Sequence, residues 1–231
     1  MTKFNYDSIP EGYYDKIFKL KKGIQSAWHH VKFDFVFNKI KESEIHLDVG
    51  CGPGTFIGNY MKNSNAIGID ISKDQIHYAN KTYKNSKFIL LNEKKFPFRD
   101  KTFDSISLIE IIEHLEKKDV SNLLNECKRC LKDSGIIILT TPNYISFWPI
   151  LEFVLNKISK VNYEHQHITK FNLFSLKNII LEHNFKSFQL GTFITISPFV
   201  AFVNFKLSKI LSKFNFLDIK LGFLLYGILK K

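Results

Sequence analysis

The stretch Ile45-His46-Leu47-Asp48-Val49-Gly50-Cys51-Gly52-Pro53-Gly54-Thr55-Phe56 constrains this chain more than any other. Apolar residues alternate with His46 and Asp48, and glycine then arrives at every second position. This is the pattern of a buried strand that breaks into a tight turn, with a helix to follow. Glycines at such a turn let the backbone bend sharply and let a ligand approach the main chain. A second apolar run, Ala66-Ile67-Gly68-Ile69-Asp70-Ile71, ends in an acid. It lies about 20 residues after the glycines, the spacing at which nucleoside-binding α/β folds set a carboxylate on ribose hydroxyls.

The glycine spacing narrows the ligand. A dinucleotide fingerprint needs G-x-G-x-x-G. Counted from Gly50 the third glycine falls on Thr55, and from Gly52 it falls on Ile57. A pyrophosphate ligand is therefore not expected. No Gly-Lys-Ser/Thr follows, which excludes a Walker loop.

The motif Leu47-Asp48-Val49-Gly50-Cys51-Gly52-Pro53-Gly54 resembles the first motif of class I S-adenosylmethionine-dependent methyltransferases. The resemblance is strong over about residues 45–143 and weaker at the ends. It implies an α/β, Rossmann-like fold: a seven-stranded, mostly parallel sheet with an antiparallel last strand and helices on both faces. It implies S-adenosyl-L-methionine as cofactor, with the glycine turn on the methionine part and Asp70 on the ribose. The cofactor-binding set it implies is Asp48, Gly50, Cys51, Gly52, Gly54, Asp70, Ile71, Asn92, Glu93 and Ile109. Where the family usually has an acid against the adenine, this chain has Asn92 with Glu93 beside it.

Alternating strand and helix patterns place the elements in order. Strands are expected at 45–49, 66–71, 87–91, 105–112 and 135–141, and helices at 55–63, 72–84 and from about 113 to 132. Beyond residue 143, helices are expected at 147–159, 172–183 and 198–214, and strands at 185–194 and 221–229. Ile17 to Ile40 has helical spacing. In the family such a segment caps the cofactor, which makes Tyr13, Tyr14, Trp28, His29 and His30 candidates for that cap. One domain over 1–231 accounts for the chain: a cap at 1–40, a cofactor core at 41–143, and substrate-side helices and last strands at 144–231.

Glu110-Ile111-Ile112-Glu113-His114-Leu115 is the second informative stretch. A helical turn there would put positions 110, 113 and 114 on one side. Three readings stay open. The pattern is common in the family and serves loop geometry. Alternatively, Glu110, Glu113 and His114, joined by His167, resemble the divalent-metal ligands of ubiquinone-biosynthesis O-methyltransferases and of small-RNA 2′-O-methyltransferases, a set that suits Mg²⁺ or Mn²⁺. In the third reading His114 or His167 is a lone general base.

Composition bounds the partners. The chain of 231 residues has a formal charge of +11, carried almost wholly by lysine, with Arg99 and Arg129 the two arginines. The scarcity of arginine argues against RNA, whose phosphates favour bidentate contacts. A small-molecule, lipid-linked or saccharide acceptor is expected, with O-methylation as the reaction and peripheral contact with an anionic membrane as one use of the charge. A metal-dependent RNA 2′-O-methyltransferase and a catalytically silent cofactor-binding protein are the other readings. Cys51, Cys127 and Cys130 make no disulfide framework, and Cys127 and Cys130 fall on one apolar helical stripe with Leu123, Leu124 and Leu131. Met1 to Asp7 lack the apolar core of a signal peptide, so a cytoplasmic protein is expected.

Overall fold

The computed structural model describes residues 9–62, 65–93, 95–158, 166–212 and 221–231. Helices α1 (Tyr13–Leu20) and α2 (Gly23–Ile40) lead into β1 (Ile45–Val49), α3 (Thr55–Tyr60), β2 (Asn65–Asp70), α4 (Lys73–Thr82), β3 (Lys87–Leu90) and β4 (Phe103–Ile109). After a 3₁₀ turn at Ile112–His114 come α5 (Lys117–Cys130), β5 (Leu131–Pro142), α6 (Trp148–Ile158), α7 (Leu173–Leu181), β6 (Ser187–Phe193), α8 (Ser197–Val200), α9 (Phe205–Leu211) and β7 (Leu224–Lys230).

The strands form one sheet in the order β3-β2-β1-β4-β5-β7-β6. β1 to β5 run parallel, and β7 enters antiparallel between β5 and β6, with Ile228 opposite both Ile138 and Gln189. Continuous apolar runs such as Ile136 to Leu139 suit strands covered on both faces. On one face Leu47, Ile106, Leu108 and Ile137 pack against Val120, Leu124, Cys127 and Cys130 of α5 and Leu176 and Ile180 of α7. On the other, Phe33, Val36 and Ile40 of α2 join Phe56, Ile57 and Ala79. Burying each Val, Leu, Ile or Phe side chain among these contributes about 1.5–3 kcal/mol. Cys127 and Cys130 are thus core packing groups, and all three cysteines are free thiols.

The chain reverses strand order between β1 and β4, and the carboxyl ends of those two strands open a crevice there. The glycine turn follows β1 and the Glu110–His114 stretch follows β4, so both motifs reach the same crevice.

Several boundaries differ from the sequence expectation. Ile17 to Ile40 is not one helix. Lys21 at φ 49° ends α1 in the left-handed region, and Gly23 at φ 77° starts α2 on a new axis. The 198–214 segment is also broken, because the Asn204 side chain accepts from Leu207 N and begins α9 afresh. The fifth strand starts at Leu131, four residues early, with a register shift where Phe103 and Ser105 meet it. Asn172 and Ser175 close a reciprocal capping box on α7. Tyr163 to His165, residues 213–220 and Met1 to Asp7 lie outside the described residues. Among the described residues, no helix is long and apolar enough to cross a membrane.

Candidate active site

The turn after β1 holds three left-handed glycines: Gly50 at φ 69°, Gly52 at φ 50° and Gly54 at φ 74°. Their reasons differ. A Cβ on Gly50 would lie 2.1 Å from Ile111 Cδ1, and one on Gly54 would lie 2.6 Å from the Phe88 ring. A Cβ on Gly52 would meet nothing within 4 Å. Only Gly52 therefore turns its open face to the crevice. The backbone N–H of Gly52 donates to Asp70 Oδ2 at 2.8 Å, and Ser72 N donates to Asp70 Oδ1 at 2.8 Å. Burial raises the Asp70 pKa, while these two donors pull it back. A carboxylate oxygen can accept more than one hydrogen bond, so each keeps capacity for a ligand hydroxyl.

Asp48 sits under the same turn in a buried relay. Ser107 Oγ–H donates to Asp48 Oδ1, which leaves the Ser107 oxygen to accept from His46 Nε2 at 3.0 Å. His46 Nδ1 then accepts from Ser105 Oγ at 2.7 Å. Burial drives His46 down to about 3, so it is neutral, and pushes Asp48 up to about 7.

At the end of β4, Glu110 has φ 55°, a conformation that non-glycine residues rarely adopt. It leaves the strand with its carboxylate turned toward α2, where it ion-pairs with buried Lys32 and accepts from Trp28 Nε1 at 3.4 Å. Glu113 and His114 lie on the 3₁₀ turn that follows, so the three residues do not share one helical face.

Glu113 is buried and accepts from Thr141 Oγ1 at 2.9 Å through Oε2, while its Oε1 has no hydrogen-bond partner. Burial pushes Glu113 up to about 7, with His167 pulling against it. His114 Nδ1 lies 2.8 Å from the carbonyl of Gln166, which can only accept, so Nδ1 carries the proton and Nε2 the lone pair. Burial lowers His114 to about 4. Two further bonds, Thr169 N to Glu113 O at 2.9 Å and Thr169 Oγ1 to Leu115 O at 2.6 Å, tie the 166–169 segment to the 3₁₀ turn. They bring His167 beside His114. Glu113, His114 and His167 each offer a ligand atom within 4.8 Å of the others.

His167 has its own carboxylate. Its Nδ1 lies 2.6 Å from Glu152 Oε1 on α6, and Tyr144 Oη donates to Glu152 at 3.0 Å. The Glu152 contact and the charges of Glu113 and Glu110 outweigh burial and raise the His167 pKa.

Both groups of residues line one cavity of about 770 Å³. Asp48, Gly50, Cys51, Gly52, Asp70 and Ile109 meet it on the glycine-turn side, and Glu110, Glu113, His114 and His167 on the other. Tyr13, Tyr14, Trp28 and His29 of the N-terminal helices also line it. His30 does not; it binds Phe18 O at 3.1 Å and stacks on the Phe18 ring. Gly54, Ile71, Asn92 and Glu93 lie outside the cavity wall, with Ile71 59% exposed and Asn92 and Glu93 also exposed. Lys32, Tyr144 and Glu152 were not anticipated. Glu152 had a signal: no other acid stands between Asp133 and Asn156, and an acid inside an apolar helix needs a partner.

A model of the methyltransferase domain family matches residues 47–139. An uncharacterised protein of Methanocaldococcus jannaschii is 31% identical over 79% of this chain and 73% of its own length. A probable S-adenosylmethionine-dependent methyltransferase of Mycobacterium tuberculosis is 25% identical over 70% of this chain; the chain spans 57% of that relative. The plantazolicin methyltransferase BamL, solved with a triazolic desmethylPZN analogue and SAH, superposes with a TM-score of 0.65 at 22% identity, covering 94% of this chain and 88% of its own. The turn after β1, the sheet order and these relatives agree: the chain belongs to the class I S-adenosylmethionine-dependent methyltransferases.

Proposed function

We propose that the chain transfers the methyl group of S-adenosylmethionine to a hydroxyl oxygen of a small acceptor. The observation that carries the reading is the shared cavity, with the glycine turn and Asp70 at one side and the Glu113–His114–His167 group at the other. The acceptor oxygen forms its bond to the methyl carbon as the carbon–sulfur bond breaks, leaving S-adenosylhomocysteine. The hydroxyl proton goes to His167, which Glu152 orients and makes more basic. Neutral His114 and the Glu113 carboxyl flank the nucleophile. Alignment supplies much of the rate, because sulfonium is already a good leaving group.

One observation favours a second reading. Glu113 Oε1 is buried without a partner, and the lone pair of His114 Nε2 belongs to a ring fixed by a backbone carbonyl, an arrangement common behind metal-bound histidines. Glu113, His114 and His167 fit a divalent cation such as Mg²⁺ or Mn²⁺; Glu110, held by Lys32, stands apart from that set. A bound cation would lower the pKa of the acceptor hydroxyl.

The test is incubation of the protein with methyl-labelled S-adenosylmethionine and extract of its host, with and without excess chelator. Alkali-stable label in small-molecule, lipid or saccharide fractions supports the proposal. Ribonuclease-sensitive label moves the acceptor to RNA, and absence of label with intact cofactor binding refutes turnover. Loss of label in chelator, restored by Mn²⁺, selects the metal reading over the lone base.

A further inference from the structure

We propose that the surface formed by residues 145–153 and by α8 and α9 docks on an anionic lipid bilayer. Phe202 and Val203 are 84% and 87% exposed at the junction of α8 and α9, and Ile196 and Ile210 are exposed beside them. On the other segment Phe147 and Ile150 are exposed as well. Large apolar side chains clustered in water mark an interaction surface.

The charge pattern names the occupant. Between Glu182 and Asp218 the sequence has no acid and four lysines, of which Lys206 is exposed on α9 and Lys209, also on α9, lies 3.1 Å from Asp34 Oδ2 of α2. The Asp133-to-Glu152 interval is likewise free of acids, and Glu152 itself is buried against His167. Apolar tips with lysine, and with the neighbouring acid Asp34 already paired to Lys209, suit a negatively charged interface, where each nearby lysine adds attraction. A soluble partner recognised by charge would more often meet arginine, and neither arginine lies in these segments.

The surface is continuous with the cavity wall. Phe199 of α8 and Trp148 and Leu151 of α6 line the cavity, while Phe202, Val203 and Ile150, only a few residues away, face out. Trp28 touches both Trp148 and Phe223, and Phe223 touches Phe199, so the two segments flank one aromatic wall. An acceptor with an apolar tail could reach the site from the bilayer without crossing a charged rim. Such access to the site rests on the methyl-transfer reading; the docking itself does not.

The protein is sedimented with phosphatidylcholine vesicles containing about one-quarter phosphatidylglycerol, and with pure phosphatidylcholine vesicles. Binding is expected with the anionic vesicles and should fall as salt rises. Phe202→Asp with Val203→Asp should weaken it about tenfold or more, and Lys206→Glu should weaken the salt-sensitive part. Melting temperature and cofactor affinity by calorimetry, both unchanged in the variants, separate loss of docking from loss of fold. No pelleting at low salt, or equal pelleting of the double variant, overturns the proposal. A concentration-dependent dimer that the double variant abolishes, without vesicle binding, assigns the face to a second copy and overturns it too. Vesicle binding without any methyl transfer would sink the catalytic reading and leave the docking intact.

Discussion

Glu152 Oε1 lies 2.6 Å from His167 Nδ1, joining α6 to the loop that faces the end of β4. The carboxylate holds the ring and raises its pKa. A base must be neutral to accept a proton, so kcat/KM should rise with pH through the His167 pKa. Glu152→Gln keeps a hydrogen-bond acceptor but removes the charge. It should move that limb to lower pH and lower the plateau about 10- to 100-fold, with cofactor affinity unchanged by calorimetry. An unshifted limb would remove His167 from the base role.

Asp70 links the cofactor site to the turn through Gly52 N and Ser72 N. Asp70→Ala removes the acceptor for both N–H groups and, if Asp70 holds the ribose as the resemblance implies, the cofactor's carboxylate partner as well. Charge-assisted bonds of about 1.5–3 kcal/mol each predict at least ~100-fold weaker S-adenosylmethionine binding. Calorimetry showing native affinity would refute the ribose assignment.

Gly50 and Gly52 should fail differently. Gly50→Ala drives a Cβ into Ile111 and should lower thermal stability by about 2 kcal/mol or more. Gly52→Ala meets no protein atom and pays only the left-handed backbone cost of about 1–2 kcal/mol. Its methyl points into ligand space, so cofactor affinity should drop more than stability does. Differential scanning calorimetry paired with titration separates the two.

The Lys32–Glu110 pair binds the N-terminal helices to the β4 end. Lys32→Met strands a largely buried carboxylate and should cost about 2–3 kcal/mol. Adding Glu110→Gln should recover most of that loss in urea unfolding. A double variant as unstable as the sum of its parts would show that the pair is not coupled.

The His46–Asp48 relay sets opposing pH slopes. The folded His46 pKa of about 3 lies below its unfolded value, so the unfolded chain binds the extra proton and stability falls as pH drops from about 6.5 toward 3. The folded Asp48 pKa of about 7 lies above its unfolded value, so that group loses stability as pH rises from about 4 to 7. The wild type should therefore change little between pH 4 and 6.5. His46→Asn cannot titrate and should unmask Asp48, gaining on the order of 2 kcal/mol relative to wild type at pH 5.

Local pattern alone determined much of this protein. The β1 turn, the acid that ends β2 and the alternation through β5 were legible because each depends on near neighbours: buried strands need apolar runs, and left-handed turns need glycine. The helix starts at Ser72 and Asn172 were legible for the same reason. Tertiary structure alone decided the partners. Glu110 left the expected ligand set because its backbone turned left-handed and Lys32, 78 residues away, met its charge. His167 found His114 because Thr169 pinned its loop, and it gained Glu152 because α6 folded back over the crevice. Electrostatic and hydrogen-bond partners far apart in sequence leave little local trace, since their attraction depends on distance and burial that only the folded chain supplies.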